Sequence, residues 1–248
     1  VARYLVGNWK MHGDSEYALE YMRSLANDET VINISDNLNI VTCPPAIWLH
    51  QFLEITKDTN IKLGGQDCHF AMNGAFTGDI SAEMLKDAGC EYVIVGHSER
   101  RRAYGEDDII VAHKANAALI AELKPIICVG ETKLQRDNGE HIKAIQLQIR
   151  TLLSEITPHH SLIIAYEPVW AIGTGHTPTT DEIAEMFDII MHECKRHGLY
   201  HINLLYGGSV RPENATELFQ VKTLSGLLVG NASTQLKQWT EIIKAAIR

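Results

Sequence analysis

Glu167, His97, Lys10 and Asn8 each lie at the end of an apolar, strand-like run, and their side chains suit proton transfer to and from carbon and oxygen. Glu167 follows Ala165-Tyr166 and precedes Pro168. A proline biases its predecessor towards extended backbone, which keeps this carboxylate at a strand end. It reads either as a rim salt-bridge partner or, if partly desolvated, as a general base. His97 comes directly after Val93-Ile94-Val95-Gly96. Ser98 is placed to cap a helix that Glu99 and Arg100 begin, and the positive end of that helix disfavours imidazolium. A neutral ring can donate to a carbonyl oxygen. The other reading is a hydrogen-bonded structural histidine, as most of the twelve must be. Alternation places Lys10 and Asn8 on one side of the first run. Lys10 is either a solvated charge or an anion ligand. Asn8 either donates to an oxygen or closes a turn.

Glycines gather in the same places. Gly207-Gly208-Ser209 and Gly230-Asn231 follow the last two apolar runs, and Gly173-Thr174-Gly175 lies just beyond Glu167. Each turn alone does no more than relieve backbone strain. Together they invite a phosphate, held by backbone N–H groups and a helix N-terminus. This matters because the chain is acidic, with 22 Lys+Arg against 31 Asp+Glu and a net charge of -9. Such a chain repels anions at long range, so local N–H dipoles and Lys10 must supply the attraction. The same balance argues against a nucleic-acid binder.

The elements behind these residues alternate. Near-continuous apolar runs, the signature of buried parallel strands, cover Tyr4–Trp9, Leu38–Cys43, Ile61–Gly65, Tyr92–Gly96, Pro125–Val129, Leu162–Tyr166, Ile202–Tyr206 and Gly226–Val229. Amphipathic or Ala-rich stretches predict helices over Ser15–Asn27, Ser81–Ala88, Asp107–Leu123, Glu140–Glu155, Asp181–Arg196 and Thr234–Ile247. The strand ends recur about every 31 residues, one βαβ unit each. Eight units without a break predict an α/β fold, a single (β/α)8 barrel over residues 1–248, whose site lies at the carboxyl ends of the strands. The open doubly wound alternative needs G-x-G-x-x-G after the first strand, where Gly7-Asn8-Trp9-Lys10 stands instead. The 248 residues, 45% apolar, suit one globular domain. No apolar run reaches the roughly 18 residues of a membrane span, and Val1–Gly7 lacks the order of a secretory leader. Cys43, Cys68, Cys90, Cys128 and Cys194 are odd in number and widely scattered. That argues against a disulfide framework or metal site and favours small buried thiols in a cytoplasmic protein.

Longer motifs carry a resemblance. Gly7-Asn8-Trp9-Lys10-Met11, Gly74-Ala75-Phe76-Thr77-Gly78, Gly96-His97-Ser98-Glu99-Arg100-Arg101, Cys128-Val129-Gly130-Glu131, the run Ala165 to Gly175, and Tyr206-Gly207-Gly208-Ser209-Val210 stand in the order found in triosephosphate isomerases. The chain resembles that family over nearly its whole length. The resemblance implies interconversion of dihydroxyacetone phosphate and glyceraldehyde 3-phosphate, without metal or organic cofactor. Glu167 is then the base, His97 the neutral electrophile, a behaviour for which this family is itself the standard example. Lys10 and Asn8 stabilise the enediolate and bind substrate, and Glu99 is a supporting carboxylate near Lys10 or His97. Gly173, Ser209, Gly230 and Asn231 bind phosphate. Val169 to Thr177 is a lid. A homodimer is implied, with loop Gln66–Asp79 entering the partner and Thr77 reaching its site. Asp67, His69 and Asn73 suit that role or a plain surface loop.

Three positions depart from the family pattern. Asn231 stands second in a usual Gly-Gly pair; asparagine tolerates left-handed backbone, so the N–H is expected to keep its role. Pro178 replaces a residue whose backbone N–H pairs with the tyrosine hydroxyl equivalent to Tyr206 when the lid closes, and proline has no such N–H. That bond is expected to be absent, leaving closure to Ser209 and the Gly173–Gly175 backbone. His176, in place of a common lysine, has no role. Two other readings remain at this point: a different phosphate-binding barrel enzyme, or a non-catalytic barrel scaffold. Neither needs Lys10, His97 and Glu167 together.

Overall fold

A computed structural model describes residues 3–35, 37–156, 161–172 and 177–247. Its elements run β1 (Arg3–Asn8), α1 (Ser15–Ala26), α2 (Glu29–Ile32), β2 (Leu38–Cys43), α3 (Leu49–Thr56), β3 (Ile61–Gly65), α4 (Ala82–Asp87), β4 (Cys90–Val95), α5 (Ser98–Tyr104) and α6 (Asp108–Ile120). Then come β5 (Lys124–Val129), α7 (Lys133–Asp137), α8 (His141–Glu155), β6 (Ser161–Tyr166), α9 (Thr180–Arg196), β7 (His201–Tyr206), α10 (Pro212–Leu218), β8 (Leu224–Val229) and α11 (Leu236–Ile247). Short 3-10 turns precede α3 and α11.

All eight strands are parallel, each paired with its sequence neighbours, and β1 closes on β8 through Tyr4–Gly226 to Gly7–Val229. The fold is the expected (β/α)8 barrel. Closure explains the apolar runs. Val6, Val41, Ile94, Ile126, Cys128, Ala165, Leu205 and Leu228 fill the barrel interior. Their neighbours Leu5, Ile40, Val93, Val95, Ile127, Ile164, Leu204 and Leu227 pack outward under the helices. Both faces of each strand are dry, so polar alternation is lost.

Several boundaries differ from the sequence reading. β4 to β8 begin one or two residues early, with Lys124, Ser161 and His201 exposed at the barrel floor. Ladder pairing is a backbone property and continues past the last apolar side chain. α3 and α10, of eight and seven residues, are too short to show a clear period. The last helix is split, because Gln235 is extended between the 3-10 turn Asn231–Thr234 and α11.

One ion cluster fixes the position of α5. The buried Lys114 ammonium sits 2.7 Å from Asp67 and 2.6 Å from Glu106, while Arg100 of α5 lies 2.9 Å from Asp67 and 2.7 Å from Glu106. Burial raises the Asp67 pKa against the pull of Lys114. Residues that the sequence left open between loop and interface are thereby separated: Asp67 belongs to this inner cluster, whereas Asn73 is exposed. Replacing Lys114 by Met leaves the buried Glu106 and the partly buried Asp67 sharing one arginine. We expect a loss of about 3 kcal/mol in urea unfolding at neutral pH; a loss below about 1 kcal/mol, the value of a surface pair, would contradict the burial argument.

Candidate active site

The carboxyl ends of the strands surround a cavity of about 1050 Å³. Asn8, Lys10, His97, Glu99, Glu167, Ser209, Gly230 and Asn231 all line it. Every sequence-predicted site residue is therefore brought together except Gly173, which lies outside the described residues, as do Thr174, Gly175 and His176. Thr77 is exposed and does not line this cavity.

His97 leaves β4 through Gly96, whose φ of +70° admits few side chains; a Cβ there would also stand 2.6 Å from Val111. The expected cap is corrected. His97 itself is the N-cap of α5, its Nδ1 accepting from Glu99 N at 3.2 Å, and Ser98 is the first helical residue. The helix end therefore acts on the ring directly. A proton-free Nδ1 leaves the Nε2–H to face the cavity.

Glu167 is 1% exposed. Its N–H donates to Val129 O at 2.7 Å, continuing the ladder just past β6. Its Oε2 accepts from Ser98 N at 2.8 Å, a charge-assisted bond to the first free N–H of α5. Its Oε1 lies 2.9 Å from His97 Nε2 without the alignment of a hydrogen bond. The carboxylate is thus parked between a helix N-terminus and the imidazole.

This proximity works against the neutral ring expected at His97. Burial works to lower the His97 pKa, but the charge of Glu167 and its contact with the ring outweigh that, Lys10 opposing and Glu99 assisting, so the pKa is raised. Residues 97 and 167 are 70 positions apart, and their contact exists only in the closed barrel.

Lys10 departs from the alternation argument. β1 ends at Asn8, and Lys10 holds a φ of +55°, a conformation uncommon for a side-chain-bearing residue and typical of functional sites. Asn8 Oδ1 accepts from Lys10 N at 3.1 Å, and Gln66 Nε2 donates to Lys10 O at 2.8 Å and to Cys43 O at 2.9 Å. Gln66 was missed as a site residue; it directly follows β3, the strand-end rule that singled out the others. The Lys10 ammonium is 2.6 Å from Glu99 Oε1, and Glu99 Oε2 is 3.6 Å from His97 Nδ1. Glu99 therefore stands beside both groups. Against its burial, the hydrogen bond and charge of Lys10 hold its pKa below the ordinary range.

The glycine turns serve close approach rather than left-handed backbone. Among the described residues, neither Gly207, Gly208 nor Gly230 has positive φ. A Cβ on Gly208 would stand 2.2 Å from the Tyr206 hydroxyl. Asn231 likewise has no positive φ, so its tolerance of that region is not called upon. It opens the 3-10 turn Asn231–Thr234. A Cβ on Gly230 would lie 3.4 Å from Lys10 Cε, which sets this turn beside the ammonium. The Tyr206 hydroxyl is buried without a well-formed hydrogen bond. Burial pushes its pKa up against the pull of the Ser209 backbone, and Pro178 offers it no N–H.

All five thiols are free and buried. Burial pushes Cys68, Cys90 and Cys194 up to about 12 and Cys43 and Cys128 well above their ordinary value. Burial and a raised pKa both disfavour the nucleophilic thiolate. Among the described residues no group of His, Cys, Asp and Glu is arranged to hold a metal, and no helix is long and apolar enough to cross a membrane.

A (β/α)8 barrel with a parked carboxylate, an imidazole and an ammonium on its carboxyl rim, beside close-packed glycine turns, is built for proton transfer on an anionic substrate. Comparison with known proteins specifies it further. A family model described as triosephosphate isomerase matches residues 3–246. A triosephosphate isomerase of Bradyrhizobium sp. (strain ORS 278) is 45% identical over 97% of this chain and 96% of its own length, and one of Xanthobacter flavus is 44% identical over 97% and 96%. A crystal structure of triosephosphate isomerase from Bartonella henselae superposes with a TM-score of 0.87 at 38% identity, covering 100% of both chains. The chain belongs to the triosephosphate isomerase family, and it is an isomerase. This selects the first of the three readings left open by the sequence.

The raised His97 pKa has a defined sign. Protonation contributes stability that is fully present below the ordinary imidazole value and is lost as pH rises through the raised one. In substrate-free protein, histidine NMR titration should place the His97 midpoint above that value, and Glu167→Gln should lower it. An unchanged midpoint in that variant would remove Glu167 as the cause.

Proposed function

We propose that this cavity interconverts dihydroxyacetone phosphate and D-glyceraldehyde 3-phosphate through an enediolate, with Glu167 as the base. The observation that carries the assignment of roles is the convergence of Glu167, His97 and Lys10 on one cavity. Backbone N–H groups at Ser209, Gly230 and Asn231 take the phosphate, together with Gly173 from outside the described residues. Substrate entry draws Glu167 from Ser98 N and the imidazole towards the carbon beside the carbonyl. The carboxylate removes a proton there. The C–H electron pair becomes the C=C bond, and the carbonyl pair moves onto oxygen.

His97 Nε2–H donates to that oxygen, and the Lys10 ammonium offsets its growing charge. With Glu167 turned away, the influence that raises the His97 pKa is removed, which favours the neutral ring this step requires. His97 then delivers its proton to one oxygen and accepts one from the other. Glu167 returns its proton to the neighbouring carbon, so the oxidation level moves along the chain without an external electron acceptor. Asn8 supports the strained Lys10 backbone and contacts the substrate oxygens, and Glu99 steadies Lys10 and His97.

The segment Val169–Thr177 serves as a cover that excludes water, since Val169, Ile172 and Thr177 flank the cavity. A second copy seats on loop Gln66–Asp79, where Phe70 and Phe76 pack about His69 yet stay exposed, and Thr77 reaches the partner's site. Five buried free thiols fit a reducing, cytoplasmic setting.

Purified protein supplied with glyceraldehyde 3-phosphate should form the ketose, followed through a coupled dehydrogenase, and Glu167→Gln should lower kcat by at least about a hundredfold. Full turnover in that variant would remove Glu167 from its role. Because Pro178 gives the Tyr206 hydroxyl no N–H, Tyr206→Phe should change kcat less than about twofold, whereas Ser209→Ala should cost about tenfold or more. Equal losses would show that the hydroxyl contributes to closure after all.

A further inference from the structure

The strongest unassigned feature lies under the segment that joins β6 to α9, and the inference from it rests on the isomerase reading above. At the first end of the segment, Val169 N donates to Glu131 O at 3.2 Å and the Trp170 indole donates to Glu131 Oε1 at 2.7 Å. Glu131 is wholly buried, and the Tyr166 hydroxyl also donates to Oε1, at 3.0 Å. At the far end, Thr179 caps α9, its N–H and hydroxyl lying 2.8 and 3.1 Å from Glu182 Oε2. One side chain joins the two ends. Arg136 of α7 lies 3.5 Å from Glu131 Oε1 through Nη1 and 3.1 Å from Glu182 Oε1 through Nη2. Its guanidinium also covers the Trp170 ring at 5.2 Å.

We propose that Arg136 is a positioning residue, fixing the two described ends of this segment, at Trp170 and at Thr179–Glu182, in one register. A planar guanidinium bridges two carboxylates through a rigid fork while its face rests on an indole; an ammonium can pair with two carboxylates, as Lys114 does, but has neither the fork nor a face to stack. Arg136 does not line the cavity, so it acts on the reaction only through the segment. Loosening either end leaves the enediolate phosphate less well held. The intermediate then loses phosphate: the enediolate pair re-forms a carbonyl, the double bond shifts, and the C–O bond breaks with its pair leaving on phosphate. The enol left behind tautomerises to methylglyoxal. Elimination per isomerisation therefore reads the register of the segment, which a change in global stability alone does not move.

The test uses the full chain and three variants. Glu182→Gln keeps an oxygen for the Thr179 cap but removes the charge facing Arg136. Arg136→Lys keeps a charge and loses the rigid fork and the stacking. Arg136→Met loses both. Wild-type isomerisation is measured first, and its absence would overturn the isomerase reading itself. Given wild-type turnover, methylglyoxal formed per isomerisation should rise about threefold in Glu182→Gln and in Arg136→Lys, and about tenfold in Arg136→Met, the range expected of couplings between packed residues. Adding Glu182→Gln to Arg136→Met should raise it no further. An unchanged ratio in both Glu182→Gln and Arg136→Lys would overturn the proposal, whether or not Arg136→Met folds.

Discussion

Closure of β1 on β8 is the constraint from which the rest of this molecule follows. With both edge strands satisfied, all eight carboxyl ends face one rim, and residues from distant parts of the chain must meet there. Burial of both strand faces leaves few polar side chains within the strands, Thr42 and Ser225 among them. The polar groups that remain are displaced to the ends of the strands and the residues immediately after them. Asn8, Gln66, His97, Glu167, Gly207 and Gly230 each occupy such a position. The same dry walls lower the local dielectric, so charges on the rim interact more strongly than they would in water.

The site gains its electrostatics from neighbouring elements rather than from net charge. A chain of net charge -9 still presents an ammonium, the backbone of two glycine turns and the start of α5 to its cavity. These groups satisfy one another: Glu99 holds Lys10, and Ser98 N holds Glu167. The strain at Lys10 is held by Asn8 and Gln66, whose hydrogen bonds secure both sides of the twisted peptide.

Individual residues show what could be read in advance and why. Glu167 and His97 were visible because each ends an apolar run and carries the right functional group. The direction of the His97 pKa was not, since it depends on a carboxylate 70 residues away lying 2.9 Å from the ring. Lys10 was visible as a cation, but its left-handed backbone was not, because nothing local favours that conformation for lysine. Arg136 and Lys114 look like ordinary helical cations in sequence. Only packing shows that each bridges elements separated along the chain.

By itself the sequence determined the eight-unit barrel, the order of its strands and the residues at their ends. These follow from hydrophobic periodicity and from chain-local preferences, which act over a few residues. Tertiary structure alone decided which of those residues touch, which carboxylate acts on His97, that close approach is what the glycine turns provide, and that one guanidinium spans two ends of a segment. Distances and burial arise from closure and packing, and those are properties of the whole chain at once.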